Sequence, residues 1–274
     1  MGDGVTGAFA RATAVSRTGD GRYVAEVAEG WDIRDNANGG YLLAIGARAM
    51  CDATDRPDPV TVTGHFLSPG RMGPIDVGTS VVKAGKRFTT ARADLTDGAT
   101  GRPVLAMLGT FGDLDTAEGP EVIDGGPPEL PDPDECIAVV PGDPLPPRFM
   151  SKVELRLHPD DSGFFEGRPT GIPLIRGWFR LREGEPVDPI GLLCVVDSFP
   201  PTVFNARLPV AWTPTIELTA HVRARPAAGW LACEFRTRFV SGGFLEVDTE
   251  VWDLDGRFVA QARQLALVPR APAD

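Results

Sequence analysis

The chain has 274 residues, enough for one large or two small domains with a real core. Its 27 basic and 38 acidic side chains leave a net charge of −11. The charges are scattered rather than blocked, which excludes a general polyanion binder and makes nucleic acid and anionic membranes poor partners. Apolar runs such as Gly191-Leu192-Leu193-Cys194-Val195-Val196 are far too short to span a bilayer, so no membrane span is expected. The first residues show no basic stretch followed by an apolar one, and the expected address is cytoplasmic. Cys51, Cys136, Cys194 and Cys233 lie far apart without CxxC or Cys/His spacing. They read as small buried apolar residues, with neither a disulfide frame nor a metal site expected.

In chain order, an apolar helix position falls at Gly40-Tyr41-Leu42-Leu43, followed by an alternating strand from Val60 to Phe66. The stretch Val81 to Arg92 reads as a hairpin, and Gly101-Arg102 as a turn. Between Gly112 and Phe149, nine prolines and ten acids replace any apolar periodicity, the pattern of an extended, hydrated linker. The expected division is an N-terminal unit over 1–113, a linker over 114–150 and a C-terminal unit over 151–274. In the latter, Asp188-Pro189 starts a helix, by carboxylate cap and first-turn proline, that ends before Pro200-Pro201. With almost no polar face, that helix must be surrounded by protein. Strands then follow over 215–223, 230–239, 244–253 and 257–267. The Ser241-Gly242-Gly243 and Leu254-Asp255-Gly256 turns make their pairing antiparallel.

The chain also matches itself. At an offset of 156 residues, Val60–Phe66 falls on Ile216–Val222, His65 on His221, Phe88 on Phe244 and Asp97 on Asp253. After one gap Gly101-Arg102 meets Gly256-Arg257, and upstream Gly40 falls on Gly191. A duplicated α+β unit follows, each half an antiparallel sheet wrapped around a helix.

This plan resembles the double hotdog fold, and the residues are similar to those of the type II acyl-CoA thioesterase family. The similar stretches are Asn38-Gly39-Gly40, His65-Phe66-Leu67, the Lys86-Arg87-Phe88-Thr89-Thr90-x-Arg92 hairpin and Gly101-Arg102-Pro103-Val104. The resemblance implies catalysis by Asp197, Thr215 and Gln264, which hold and activate a water that hydrolyses the thioester of a fatty acyl-CoA. It implies no metal and no cofactor. The residue types suit that chemistry: a carboxylate in an apolar helix needs donors, and desolvation raises its proton affinity toward that of a general base. Aligned on the first half, Asp197 falls on Gly46 and Gln264 on Gly109, so one site per chain is expected. Singly, each of the three residues also suits a plain structural role.

By strict alternation Thr215 and Thr219 share one face, and the family spacing favours Thr215 as the catalytic threonine. His65 and His221 recur in both halves, which favours an architectural role over general-base chemistry. For the substrate, Lys83, Lys86, Arg87 and Arg92 offer a landing place for the phosphates of coenzyme A, with Lys86 and Arg87 at its centre. By analogy Asn38, Gly39 and Gly40 form a wall where backbone amides polarise the thioester carbonyl. The alternative reading is a non-catalytic acyl-CoA or acyl-carrier binding protein of the same fold. The two halves are expected to pair with each other, and a homodimer of the whole chain is possible.

Overall fold

The computed structural model describes residues 7–142 and 146–269. Among the described residues fourteen strands form one sheet in which every neighbouring pair is antiparallel. From one edge, the N-terminal half contributes Ser16–Gly19, Arg22–Val27, Gly73–Ala84, Thr89–Asp97, Pro103–Gly112 and Asp58–Phe66. The C-terminal half continues with Thr215–Val222, Phe258–Leu267, Phe244–Trp252, Leu231–Arg236, Leu174–Leu181, Val153–Leu157 and Ile137–Val139. A short strand, Val240–Ser241, pairs with Phe244–Trp252, and Asp32–Ile33 with Asn36–Ala37 forms a separate two-residue hairpin.

The halves meet where Asp58–Phe66 pairs with Thr215–Val222, placing Thr63 opposite Thr219. Their hydroxyl oxygens are 2.9 Å apart and their positions differ by 156, the offset of the repeat. The local two-fold axis of the duplication therefore passes between these two threonines. Joining the units strand to strand removes an exposed edge from each.

Among the described residues three α-helices stand beside the sheet: α1 (Ala8–Ala12), α2 (Gly39–Thr54) and α3 (Gly191–Val195). The Asn38 side chain caps α2 by accepting from the Tyr41 amide at 2.9 Å, and the helix stops at Asp55, whose φ of 53° is left-handed. Its residues from Gly40 to Ala47 are all buried, packed on the strands of the N-terminal half. In the C-terminal half the helix expected between Asp188 and Pro200 is only five residues long. Asp188 caps it as the sequence indicates, accepting from the Gly191 amide at 2.6 Å. After Val195 the chain leaves the helix through turn bonds from Asp197 N to Cys194 O and from Ser198 N to Val195 O. The apolar residues Val196 and Phe199 extend the pattern past the helix because this turn is enclosed as well.

Cross-half contacts bind the two units. Glu185 accepts from the Phe9 and Ala10 amides at the start of α1 (2.8 and 3.0 Å), Arg48 donates to Asp188 (2.7 Å), and Arg225 donates to both oxygens of Asp58 (3.0 and 3.2 Å). The Pro-rich stretch is exposed from 115 to 127, whereas Pro131 accepts from the Trp178 indole (2.8 Å) and Ile137–Val139 adds an edge strand. Among the described residues no helix is long and apolar enough to cross a membrane.

The chain backbone is closely packed where α2 starts beside α3. A Cβ placed on Gly40 would come 2.4 Å from the Leu193 carbonyl oxygen and 2.9 Å from Asp197 Cβ. Gly40→Ala is expected to lower stability by about 1–3 kcal/mol through overpacking. Gly78→Ala, which meets nothing within 4 Å, should not. Denaturant unfolding of both variants reads the difference, and equal curves would show that α2 and α3 can move apart freely.

Candidate active site

Asp197 follows α3 directly and points at the first turn of α2, an element of the other half. One carboxyl oxygen, Oδ2, accepts from the Gly40 amide (2.9 Å) and from Asn38 Nδ2 (3.1 Å), while the Asn38 amide also donates to the Asp197 carbonyl (2.8 Å). The other, Oδ1, accepts from Gln264 Nε2 at 3.2 Å, and the same amide donates to the hydroxyl of Thr215. Asp197, Thr215 and Gln264, proposed from the sequence as one set, thus form one hydrogen-bonded group. Asn38 belongs to it as well, through a donor role that the sequence reading missed.

Burial pushes the Asp197 carboxyl up to about 6, and the Gly40 and Gly39 amides, Gln264 and Asn38 pull in the opposite direction without overcoming it. The positive end of the α2 dipole favours the ionised form in the same sense as these donors. The Gly40 amide, expected to face a thioester carbonyl, is occupied by Asp197.

A bulge explains why Thr215 can join the group. Thr215 pairs with Ala266 and Glu217 with Leu265, so Ile216 is an extra residue with no partner. The inserted residue turns Thr215 onto the face that carries Gln264, while Thr219 stays on the outer face, bonded to Thr63 and Glu217. The expectation that Thr215 and Thr219 share a face is therefore corrected, because alternation carries no mark of an inserted residue.

The first half repeats the geometry without the chemistry. Pro59 pairs with Phe111 and Thr61 with Thr110, the same bulge, and Gly109 stands opposite Val62 as Gln264 stands opposite Leu218. A Cβ on Gly109 would meet the Phe111 ring at 2.9 Å, and one on Gly46 would meet Met107 Sδ at 2.2 Å. Met107 and Phe111 fill the space that a second set of polar side chains would need.

Beside the group lies a cavity of about 610 Å³, lined by Asn38, Gly39, Asp197, Thr215 and Gln264 together with mostly apolar side chains. Of the five tryptophans only Trp212 lines it. Trp31 stacks on Tyr41 in the core, and Trp230 lies under Arg180. Lys86 and Arg87 lie elsewhere. Arg56, just past the C-terminal end of α2, donates to the Gly85 and Lys86 carbonyls (both 3.0 Å). The hairpin tip is thereby held at the far end of α2, a helix of 16 residues and about 24 Å that starts after its cap, Asn38. His65 is exposed opposite Glu217, and His221 contacts Gln261 (3.1 Å); neither lines the cavity. Val139, Pro146, Pro147 and Phe164 contribute walls that the sequence did not signal. Asn36 could have been found, since it stands two residues before Asn38 on an extended strand.

Known proteins place this geometry in a class. A structure from Alicyclobacillus acidocaldarius described as having a hotdog fold superposes with a TM-score of 0.85 at 24% identity, covering 98% of this chain and 100% of that one. The present fold is a tandem hotdog. Residues 27–112 match the family model for the N-terminal domain of acyl-CoA thioesterases, and residues 128–268 match that for the C-terminal domain. The chain belongs to the acyl-CoA thioesterase family. It is 33% identical to a putative thioesterase II from Thermobifida fusca, with a TM-score of 0.86 over 96% of this chain and 98% of that one. It is also 32% identical to the uncharacterised protein Rv0499 of Mycobacterium tuberculosis over 89% of this chain and 90% of that protein.

The raised proton affinity of Asp197 has a consequence for stability. Below the ordinary carboxyl value of 3.8, folded and unfolded chains both hold the proton, and folding carries no penalty. As the pH rises through about 6 the folded chain must ionise a group that the unfolded chain ionises more easily, and stability falls. Relative to Asp197→Asn, the wild type is expected to lose up to about 3 kcal/mol between pH 4 and pH 7. Thermal unfolding of the pair across that range checks this, and parallel curves would mean that the carboxyl titrates normally.

Proposed function

We propose that this protein hydrolyses the thioester of acyl-CoA, with Asp197, Thr215 and Gln264 holding and activating the attacking water. The supporting observation is the carboxylate itself: it is held by fixed donors, has a proton affinity near neutrality and stands at the wall of an apolar cavity. At neutral pH Asp197 is ionised yet basic enough to accept a proton. Gln264 spans Asp197 and Thr215, and because the Thr215 oxygen accepts from Gln264, its own hydroxyl proton is free to be donated. A water between Thr215 and Asp197 gives its proton to the carboxylate as its oxygen bonds to the thioester carbon. The carbon–sulfur bond then breaks, and the departing thiolate takes the proton from Asp197. The products are the free acid and the thiol, and the carboxylate is regenerated. The apolar cavity excludes bulk water and accepts the acyl chain.

Thiol release from short, medium and long acyl-CoAs tests this reading. Asp197→Asn is expected to reduce turnover by about 10²–10⁴-fold. Thr215→Ala and Gln264→Ala should also lose turnover, whereas Thr219→Ala should retain it. The wild-type kcat/KM should rise with pH to a plateau above about 6, the value of the ionising base. A folded wild type that binds acyl-CoA without releasing thiol would make the protein a non-catalytic acyl-CoA or acyl-carrier binder.

A further inference from the structure

Among the described residues that line the cavity, two carry charge, Asp197 and Arg34. Arg34 occupies a corner of the two-residue hairpin Asp32–Ile33/Asn36–Ala37, and both corner residues have left-handed backbone, with φ of 52° at Arg34 and 64° at Asp35. A non-glycine pair in that region is strained and persists only where its surroundings enforce it. Here they do. Asp32 accepts from the Gly30 and Asp35 amides (3.2 and 3.4 Å), Arg148 reaches both Asp32 and Asp35 (3.4 and 3.3 Å), and Arg71 donates to the Asp35 carbonyl (3.1 Å). The strand beyond is tied down by bonds from Ala37 N to Gly70 O and from Asn38 N to Trp31 O, both 2.9 Å. These contacts engage Asp32 and Asp35. Arg34 itself has no hydrogen bond or ion pair to any described residue.

Two residues further on is Asn36, whose side-chain carbonyl oxygen is buried without a hydrogen-bond partner. Two more residues lead to Asn38, bonded to Asp197. Arg34, Asn36 and Asn38 all line the cavity. Asn36 and Asn38 alternate on extended chain, about 7 Å apart on one face, and Arg34 precedes them at the hairpin corner. The cavity wall thus carries, beside the carboxylate, an amide with an unmet acceptor and, at the hairpin corner, a cation without a partner among the described residues.

We propose that this wall is a subsite for the phosphopantetheine arm of the substrate: Asn36 takes an amide of the arm and Arg34 its phosphate. The order matches the chemistry of that arm, in which amides separate the thioester sulfur from the phosphate. An unsatisfied buried amide oxygen is costly until a donor arrives, and a guanidinium pairs well with phosphate oxygens. The subsite replaces the Lys86-Arg87 hairpin as the anion-binding element of the site, and it rests on the thioesterase reading above. Coenzyme A and a carrier protein both present this arm, so the site accommodates either source.

The test compares one acyl group on CoA, on 4′-phosphopantetheine, on pantetheine without phosphate, on a phosphopantetheinylated carrier domain and on a simple S-alkyl thiol. Arg34→Gln is expected to lower kcat/KM at least tenfold on the phosphate-bearing thioesters and far less on acyl-pantetheine, with Arg34→Lys recovering part of the loss. Asn36→Ala should lower it on every amide-bearing thioester more than on the S-alkyl one. Equal effects on phosphorylated and unphosphorylated thioesters, in variants shown by circular dichroism to be folded, would overturn the assignment. The better of CoA and carrier domain identifies the source of the arm. Calorimetric titration with free CoA into wild type, Asp197→Asn and Arg34→Gln separates this proposal from the reaction itself. Arg34-dependent binding without any turnover would keep the subsite and discard the hydrolysis, whereas turnover with CoA binding indifferent to Arg34 would do the reverse.

Discussion

A carboxylate removed from water costs several kcal/mol unless fixed donors replace the solvent, and the donors of Asp197 come from the other half of the chain. Asn38 and Gly40 belong to the N-terminal unit, Asp197 to the C-terminal one. The group exists only where the start of α2 is pressed against the end of α3. That requirement accounts for the glycine at position 40, because any side chain there would strike the Leu193 carbonyl. It also suits the shortness of α3: by leaving the helix after Val195, the chain presents the Asp197 side chain to the α2 terminus instead of carrying it on around another turn. The cross-half ties at Glu185, Arg48 and Arg225 fix the relative position of the two units on which this contact depends.

The duplication provides geometry in both halves and chemistry in one. Both central strands carry the same bulge, and both have a last-strand residue facing inward beside it. In the C-terminal half that residue is Gln264 and the bulge presents Thr215; in the N-terminal half the matching residues are Gly109 and Pro59, which offer no side-chain donor. The volume is not left empty, since voids in a core are unfavourable. Met107 and Phe111 occupy it. The N-terminal half contributes instead a long helix whose first turn binds the carboxylate of its partner.

Much of this was legible in the residues. The offset of 156 marked the local axis, found between Thr63 and Thr219, and the glycines at 46 and 109 already indicated that one half is chemically bare. Asp197 and Gln264 stood out as polar groups in apolar surroundings. What the sequence could not show has physical causes. A bulge inserts a residue without any change of composition, so alternation put Thr215 and Thr219 on one face and only the register separates them. An apolar run enclosed by protein reads the same whether it is helix or turn, and so α3 was expected to be longer. The distance of Lys86 and Arg87 from the site depends on which end of α2 their hairpin meets, and that is a matter of tertiary arrangement. The acidic, proline-rich stretch hid an edge strand because three residues carry too little periodicity to be recognised.

The number of donors around Asp197 sets what it can do. With none, burial would hold the carboxyl protonated at neutral pH and unable to accept a proton; with strong pairing to a cation, its affinity would fall far below neutrality and it would be a feeble base. Here the donors are all neutral: two backbone amides, Asn38 and Gln264. Neutral donors offset desolvation only in part, and the balance settles near 6. Arg34, the one cation among the described residues of the cavity wall, is not among the groups that shift Asp197. A chain with a net charge of −11 thus keeps its positive charge in the cavity away from the carboxylate. An arginine in contact with Asp197 would have fixed the ion more firmly at the expense of its basicity.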